Sequence, residues 1–196
     1  MHVMPFANRE HFIRPVAYLL TWVVAILATS PSVMSLGISS TLARPALTTI
    51  PLAITFVVTN KNNDGAGSLR QAILDANSNP GADTISFNIP GSGVQTIVPT
   101  FELPTITDSV IIDGTTQPGF SGTPIIELNG PGRNFDGLII TAGNSTVRGL
   151  VINRFQRGIF LSGGGGNTIL GNFIGTDPTG SAALSNGVGI SITSPN

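Results

Sequence analysis

Cysteine is absent from the 196 residues, and charged residues make up only 10% of them. The first absence excludes disulfide staples, thiolate metal sites and cysteine nucleophiles, and neither demands nor forbids an oxidising compartment. So little charge excludes a chain kept open by its own solvation. A formal net charge of -1 leaves no electrostatic footprint for nucleic acid. The only histidines are His2 and His11, and the only Trp and Tyr are Trp22 and Tyr18. All four lie in a segment expected to be removed on export, so the exported chain offers no imidazole for proton transfer or metal ligation. No cofactor is implied. What the chain does have is 24 glycines and 14 prolines, a supply suited to many tight turns.

The N-terminus reads as a targeting segment. Arg9 and Arg14 precede an apolar run over residues 16–28, and small residues follow around 30–40. A basic region, a short apolar region and a small-residue exit make a secretory signal. At roughly 13 strongly apolar residues the run is short for a span, so a cleaved signal over 1–43 is expected, with an uncleaved anchor as the alternative. Val33-Met34-Ser35 and Thr41-Leu42-Ala43 both suit cleavage. Either way the rest of the chain is secreted or held at the cell surface, and the membrane is met only through this segment. Residues 44–53 read as a linker.

Residues 144–175 carry a repeat. Thr146-Val147-Arg148-Gly149-Leu150-Val151-Ile152 returns as Thr168-Ile169-Leu170-Gly171-Asn172-Phe173-Ile174. Thr146 aligns with Thr168, Gly149 with Gly171 and Ile152 with Ile174, all at one spacing. A fixed period of roughly 20–25 residues signals stacked repeats, and β-branched runs broken by Gly and Asn, without helical spacing, make each repeat all-strand. Gly137-Leu138-Ile139-Ile140 recurs as Gly158-Ile159-Phe160-Leu161 at nearly the same interval. The next such strand, Gly189-Ile190-Ser191-Ile192, arrives only after a longer one. Residues 177–186 therefore read as an insertion pushed out of one turn. The fold class expected is all-β: a right-handed, single-stranded parallel β-helix, a pectate-lyase-like solenoid of about five coils over 84–196. Strands are expected near 84–88, 94–98, 109–113, 124–128, 137–141, 146–152, 158–162, 168–174 and 188–193.

Ahead of the repeats, 54–83 holds a strand at 55–59 and one helix at 68–77. Ser68 and Gln71 have the spacing of a capping box, and Leu69, Ala72, Ile73 and Ala76 fall on one face. Such a helix is expected to cover the open apolar end of the first coil. Gly67-Ser68-Leu69-Arg70-Gln71-Ala72-Ile73 also resembles the Cys-Ser-Leu-Arg-Glu-Ala-Ile (CSLREA) signature at the start of many bacterial secreted right-handed parallel β-helix proteins. Gly67 stands for the Cys and Gln71 for the Glu. The resemblance continues through Ala82-Asp83-Thr84-Ile85-Ser86-Phe87, Ile112-Asp113-Gly114-Thr115-Thr116-Gln117-Pro118-Gly119 and Gly171-Asn172-Phe173-Ile174-Gly175-Thr176-Asp177. It implies export, a β-helix and often a large cell-surface context, and it brings no catalytic residues. The sequence ends at Asn196 in a strand and turn with no polar cap, as expected of the N-terminal part of a longer protein, and self-association at that coil is expected.

For chemistry, the best carboxylate pair is Asp108 with Asp113, flanking one strand. If Val110-Ile111-Ile112 stacks as Leu150-Val151-Ile152 does, Asp113 lies under Asn153 and close to Arg154. Arg148, Arg154 and Arg157 would then line one wall with Asp113 and bind an acidic cell-wall or extracellular polysaccharide. The alternative to this structural or adhesive module is a polysaccharide lyase or hydrolase of the β-helix type with an incomplete site. No acid recurs in register on consecutive coils, and fold alone carries no function. Gly163-Gly164-Gly165-Gly166 lacks the spacing of a phosphate cradle and reads as a turn needing positive φ. Asn144, Asn153, Asn167 and Asn172 are expected to form hydrogen-bonded stacks at the turns.

Overall fold

The computed structural model describes residues 52–132 and 134–193. The expected signal segment over 1–43, most of the expected 44–53 linker and residues 194–196 lie outside them. The strand β1 (Thr55–Val58) leads to the helix α1 (Leu69–Ser78). Next come β2 (Asp83–Phe87), β3 (Gln95–Ile97), β4 (Val110–Asp113) and β5 (Ile126–Asn129), with a 3-10 turn at Gly114–Thr116 after β4. They are followed by β6 (Leu138–Ile140), β7 (Thr146–Arg148), β8 (Leu150–Asn153) and β9 (Arg157–Leu161). The last strands are β10 (Thr168–Leu170), β11 (Phe173–Ile174) and β12 (Val188–Ile192). Among the described residues no helix is long and apolar enough to cross a membrane.

The strands form three sheets, in the orders β1-β2-β4-β7-β10, β11-β8-β5-β3 and β12-β9-β6. Every named strand pairing is parallel. The fold is therefore mostly β. From β7 onward the chain visits the three sheets in rotation, and equivalent residues fall in columns. The inward column of the first sheet is Phe56, Ile85, Ile112, Val147 and Ile169. That of the second is Ile97, Leu128, Ile152 and Ile174. The third has Ile140, Leu161 and Ile192, with Ile106 joined to Ile140 by an isolated bridge that the sequence did not foreshadow. Ile85, Ile112, Val147, Leu128, Ile152 and Ile140 are wholly inaccessible. Each such side chain contributes about 1.5–3 kcal/mol by leaving water.

The repeat pairs as expected: Thr146 lies beside Thr168 and Val151 beside Phe173. Leu138 pairs with Ile159 and Ile159 with Ile190, which bears out both the shorter and the longer interval. The expected continuous strands over 146–152 and 168–174 are each two strands on different sheets. Gly149 (φ 68) and Gly171 (φ 62) break them, because a left-handed residue turns the chain through a corner that a side chain would resist. At Gly149 a Cβ would also come within 2.9 Å of Thr115 N and 2.6 Å of its methyl carbon. The four-glycine run differs from its reading too. Only Gly166 has positive φ; at Gly163 and Gly164 a Cβ would strike the backbone of Thr141 and Gly143, so these two are needed for close approach.

Helix α1 packs against β1 and β2, and its buried Leu69, Ala72, Ile73 and Ala76 join the same core as the strand columns. Ser68 Oγ accepts from Gln71 N (3.1 Å) as the cap expects. The reciprocal half of the box is not made: Gln71 Nε2 donates to Asp75 Oδ1 (2.8 Å), while Ser68 N donates to Gly65 O (3.1 Å). Arg70 donates to the carbonyls of Phe101 and Glu102 and lies 3.8 Å over the Phe101 ring. Asn77 bonds Thr105 O and Thr107 N. These contacts bind the helix to the loop before β4.

Candidate functional site

Asp113 and Arg148 are neighbours in the outward column Val57, Ser86, Asp113, Arg148 and Leu170. Arg148 Nη2 donates to Asp113 Oδ2 at 2.6 Å, with the acid's side chain 7% exposed and the arginine's 46%. Asp113 Oδ1 also accepts from Thr115 N (3.0 Å) and Thr115 Oγ1 (2.6 Å), capping the 3-10 turn. Burial pushes the Asp113 carboxyl up, but the bonds from Arg148 and Thr115 together outweigh it and hold the group below its ordinary value.

Arg157 opens β9 and forks onto Asp136, with Nε to Oδ1 at 2.8 Å and Nη2 to Oδ2 at 2.5 Å. Its guanidinium also lies 3.5 Å over the Phe160 ring. The paired carboxylate raises the arginine's pKa further. Arg154 differs from both. It sits in the turn between β8 and β9 with φ 62, a left-handed conformation uncommon outside Gly, Asn and Asp. Its exposed guanidinium reaches the amide of Asn129 at 3.4 Å. Beside it runs a shallow open groove of about 470 Å³ lined by Gly132, Arg154, Ala183, Leu184 and Ser185.

The expected single wall is thus not assembled. Asp113 pairs with Arg148, whereas Asn153 pairs with Asn129 on another sheet. The reason is the corner at Gly149, which sets Ile111 beside Thr146 and Ile112 beside Val147 rather than beside 150–152. Arg148, Arg154 and Arg157 follow one another through a sheet, a turn and a second sheet. Asp113 closes β4 and Asp108 lies two residues before the strand begins, so at least the strand's own length, roughly 10 Å, separates them, beyond the about 5–9.5 Å of a carboxylate pair across one glycosidic bond. Asp108 is also engaged, accepting from Gly81 N and Ser109 N. Among the described residues no three His, Cys, Asp or Glu side chains gather as a metal site.

A set of side-chain amides serves the corners; sequence reading named Asn167 and Asn172 among them but missed the two buried ones whose bonds go to backbone, Gln117 and Asn186. The strand ladders break at each corner, and a side chain from the next round fills the gap. Asn167 Oδ1 accepts from Ser145 N (2.9 Å). Asn172 accepts from Leu150 N (2.9 Å) and donates to Val147 O (2.8 Å). Asn186 accepts from Phe155 N (2.9 Å) and donates to Ile152 O (3.0 Å). Earlier in the chain Gln117 does the same to Ile89 N and O. Of the asparagines expected to stack, Asn167 and Asn172 instead bond backbone groups of the preceding round. Glu127 is buried as well, accepting from Thr96 Oγ1 (2.7 Å) and Asn153 Nδ2 (2.9 Å); its place in Ile126-Glu127-Leu128 gave only the outward alternation. The chain matches no family model, no curated protein and no solved structure.

Proposed function

We propose that this chain is an exported interaction module of a bacterial cell-surface or extracellular protein, built as a right-handed single-stranded parallel β-helix of about five coils with α1 capping its first coil. The observation that carries this reading is the use made of its polar groups. Asp113 with Arg148, Asp136 with Arg157, and the amides of Asn167, Asn172 and Asn186 each bind one round of strands to the next. The rotation of the chain through three parallel sheets supports a coil, and the strong preference of parallel crossovers supports its right hand. Export is supported by the basic and apolar pattern of 1–43 and by the CSLREA-like run at 67–73. The exposed guanidinium of Arg154 beside its groove makes an acidic polysaccharide the ligand class this module suits.

Incubation with polygalacturonate and alginate, with and without calcium, tests the reading. The expected result is weak, salt-sensitive retention that falls on Arg154→Ala, with the polymers left intact. Cleavage products that vanish on Asp108→Asn or Asp113→Asn would instead make the chain a polysaccharide lyase or hydrolase.

A further inference from the structure

The outer face of the first sheet carries a regular row. Thr55, Thr84, Ile111, Thr146 and Thr168 are partners in register across its strands. The next residue along each strand, from Phe56 to Ile169, packs into the core, so alternation turns these five side chains outward. Thr55 and Thr168 are exposed, and Thr84, Ile111 and Thr146 are half-exposed. Among the described residues none of the four hydroxyls has a hydrogen-bond partner. Thr96, Thr116 and Thr141 differ, because each spends its hydroxyl inside the fold. Stacked strands space the row at about 4.8 Å per step, or roughly 19 Å from end to end. In the neighbouring outward column Arg148 is 46% exposed and uses only Nη2, on Asp113. Its Nε and Nη1 have no partner among the described residues.

We propose that this row seats an acidic polysaccharide chain lying across the strands, with a carboxylate turned toward Arg148. The inference rests on the glycan-binding β-helix reading above and adds a surface separate from the groove at Arg154. A hydroxyl both donates and accepts, so a row of them meets sugar hydroxyls in either chain direction. β-Branching restricts χ1, so these hydroxyls lose little freedom when a ligand arrives. An extended pyranose chain advances by close to one strand spacing per ring, which gives each ring its own rung. The threonine methyls and Ile111 form an apolar seat for the C–H face of the rings. A purely apolar occupant would strip the hydroxyls of water and leave them unpaired, at a cost that sugar hydroxyls avoid. The open N–H edge of the Arg148 guanidinium suits a planar carboxylate, which selects a uronate over a neutral sugar.

Calorimetric titration of the full chain carrying Arg154→Ala, which removes the guanidinium of the groove, with oligogalacturonates of increasing length tests this. The expected affinity rises with length until the oligomer spans the row and then levels off. Thr84→Val with Thr146→Val keeps the shape and the strand preference of both residues but removes their hydroxyls. That pair should weaken binding roughly tenfold with the thermal melt unchanged. Ile111→Glu sets a carboxylate in the middle of the row and should weaken it at least roughly tenfold. Thr123→Val, at an exposed loop position, should leave binding unchanged. Two results overturn the proposal: no binding once Arg154 is removed, and binding that the valine pair and Ile111→Glu both leave intact. Retention by the chain with Arg154 present, lost on Arg154→Ala, would then keep the groove reading while the row falls. Register of Thr146 against Thr168, read separately by paired cysteines, fails only if the β-helix reading fails.

Discussion

Ile73→Asp will lower the stability of the domain by about 3–5 kcal/mol, the cost of an unpaired charge held in an apolar interior. Ile73 is 1% exposed on the inner face of α1 and belongs to the core that also holds Val58, Ile85 and Phe87. The carboxylate would have to sit among those side chains or pull the helix off β1 and β2. Ile73→Val, which removes one methylene at the same site, should cost only about 0.5–1.5 kcal/mol. For a domain of this size the first change lowers the melting temperature on the order of 10 °C. Thermal unfolding of both variants checks the contrast. Equal, small losses would mean that α1 is a surface helix and does not close the core.

Asn186→Ala will cost about 2–4 kcal/mol although it removes no apolar contact. Asn186 is 8% exposed, and its amide is the partner of Phe155 N and Ile152 O, on two wholly buried residues. Alanine leaves one buried donor and one buried acceptor unmet, at about 1–3 kcal/mol each before any water enters. Asn62→Ala, at an exposed loop position, should stay within about 0.5 kcal/mol. Denaturant titration of the two variants gives the comparison, and near-neutral behaviour of Asn186→Ala would show that water replaces the amide at that corner.

These two sites divide what was legible in the sequence from what was not. Strand positions were readable because the β-branched runs are short and each is bounded by Gly, Asn or Pro. The helix face was readable from four residues at helical spacing. The repeat could be seen because a left-handed corner requires Gly at 149 and again at 171. What those glycines do was harder: Thr146-Val147-Arg148-Gly149-Leu150 reads as one strand unless the sign of φ is known. Partners across long, unequal loops were also hidden. Ile111 pairs with Thr146, across an interval much longer than that from Thr146 to Thr168, so no period pointed to Asp113 and Arg148 as neighbours. The amides at the corners could be seen as residue types, but the backbone groups they meet exist as unmet partners only once the ladders break. Of the expected glycan residues, Asp113, Arg148 and Arg157 hold rounds of the fold together, and Arg154 is the one that lines a groove.

The proposed β-helix is tested most directly by cysteine pairing, in a chain with no cysteine to interfere. Thr146 and Thr168 are partners in register on the first sheet, and Ile139 and Phe160 are partners on the third. Coil stacking puts each pair at about 4.8 Å, within reach of a disulfide. Thr146 and Leu170 share a face but stand two positions out of register, roughly 8 Å apart and beyond that reach. Mild oxidation is expected to close intramolecular disulfides in Thr146→Cys/Thr168→Cys and in Ile139→Cys/Phe160→Cys with the thermal melt unharmed, and to leave Thr146→Cys/Leu170→Cys reduced. Closure of the last pair, or failure of the first two, would contradict the stacked coil.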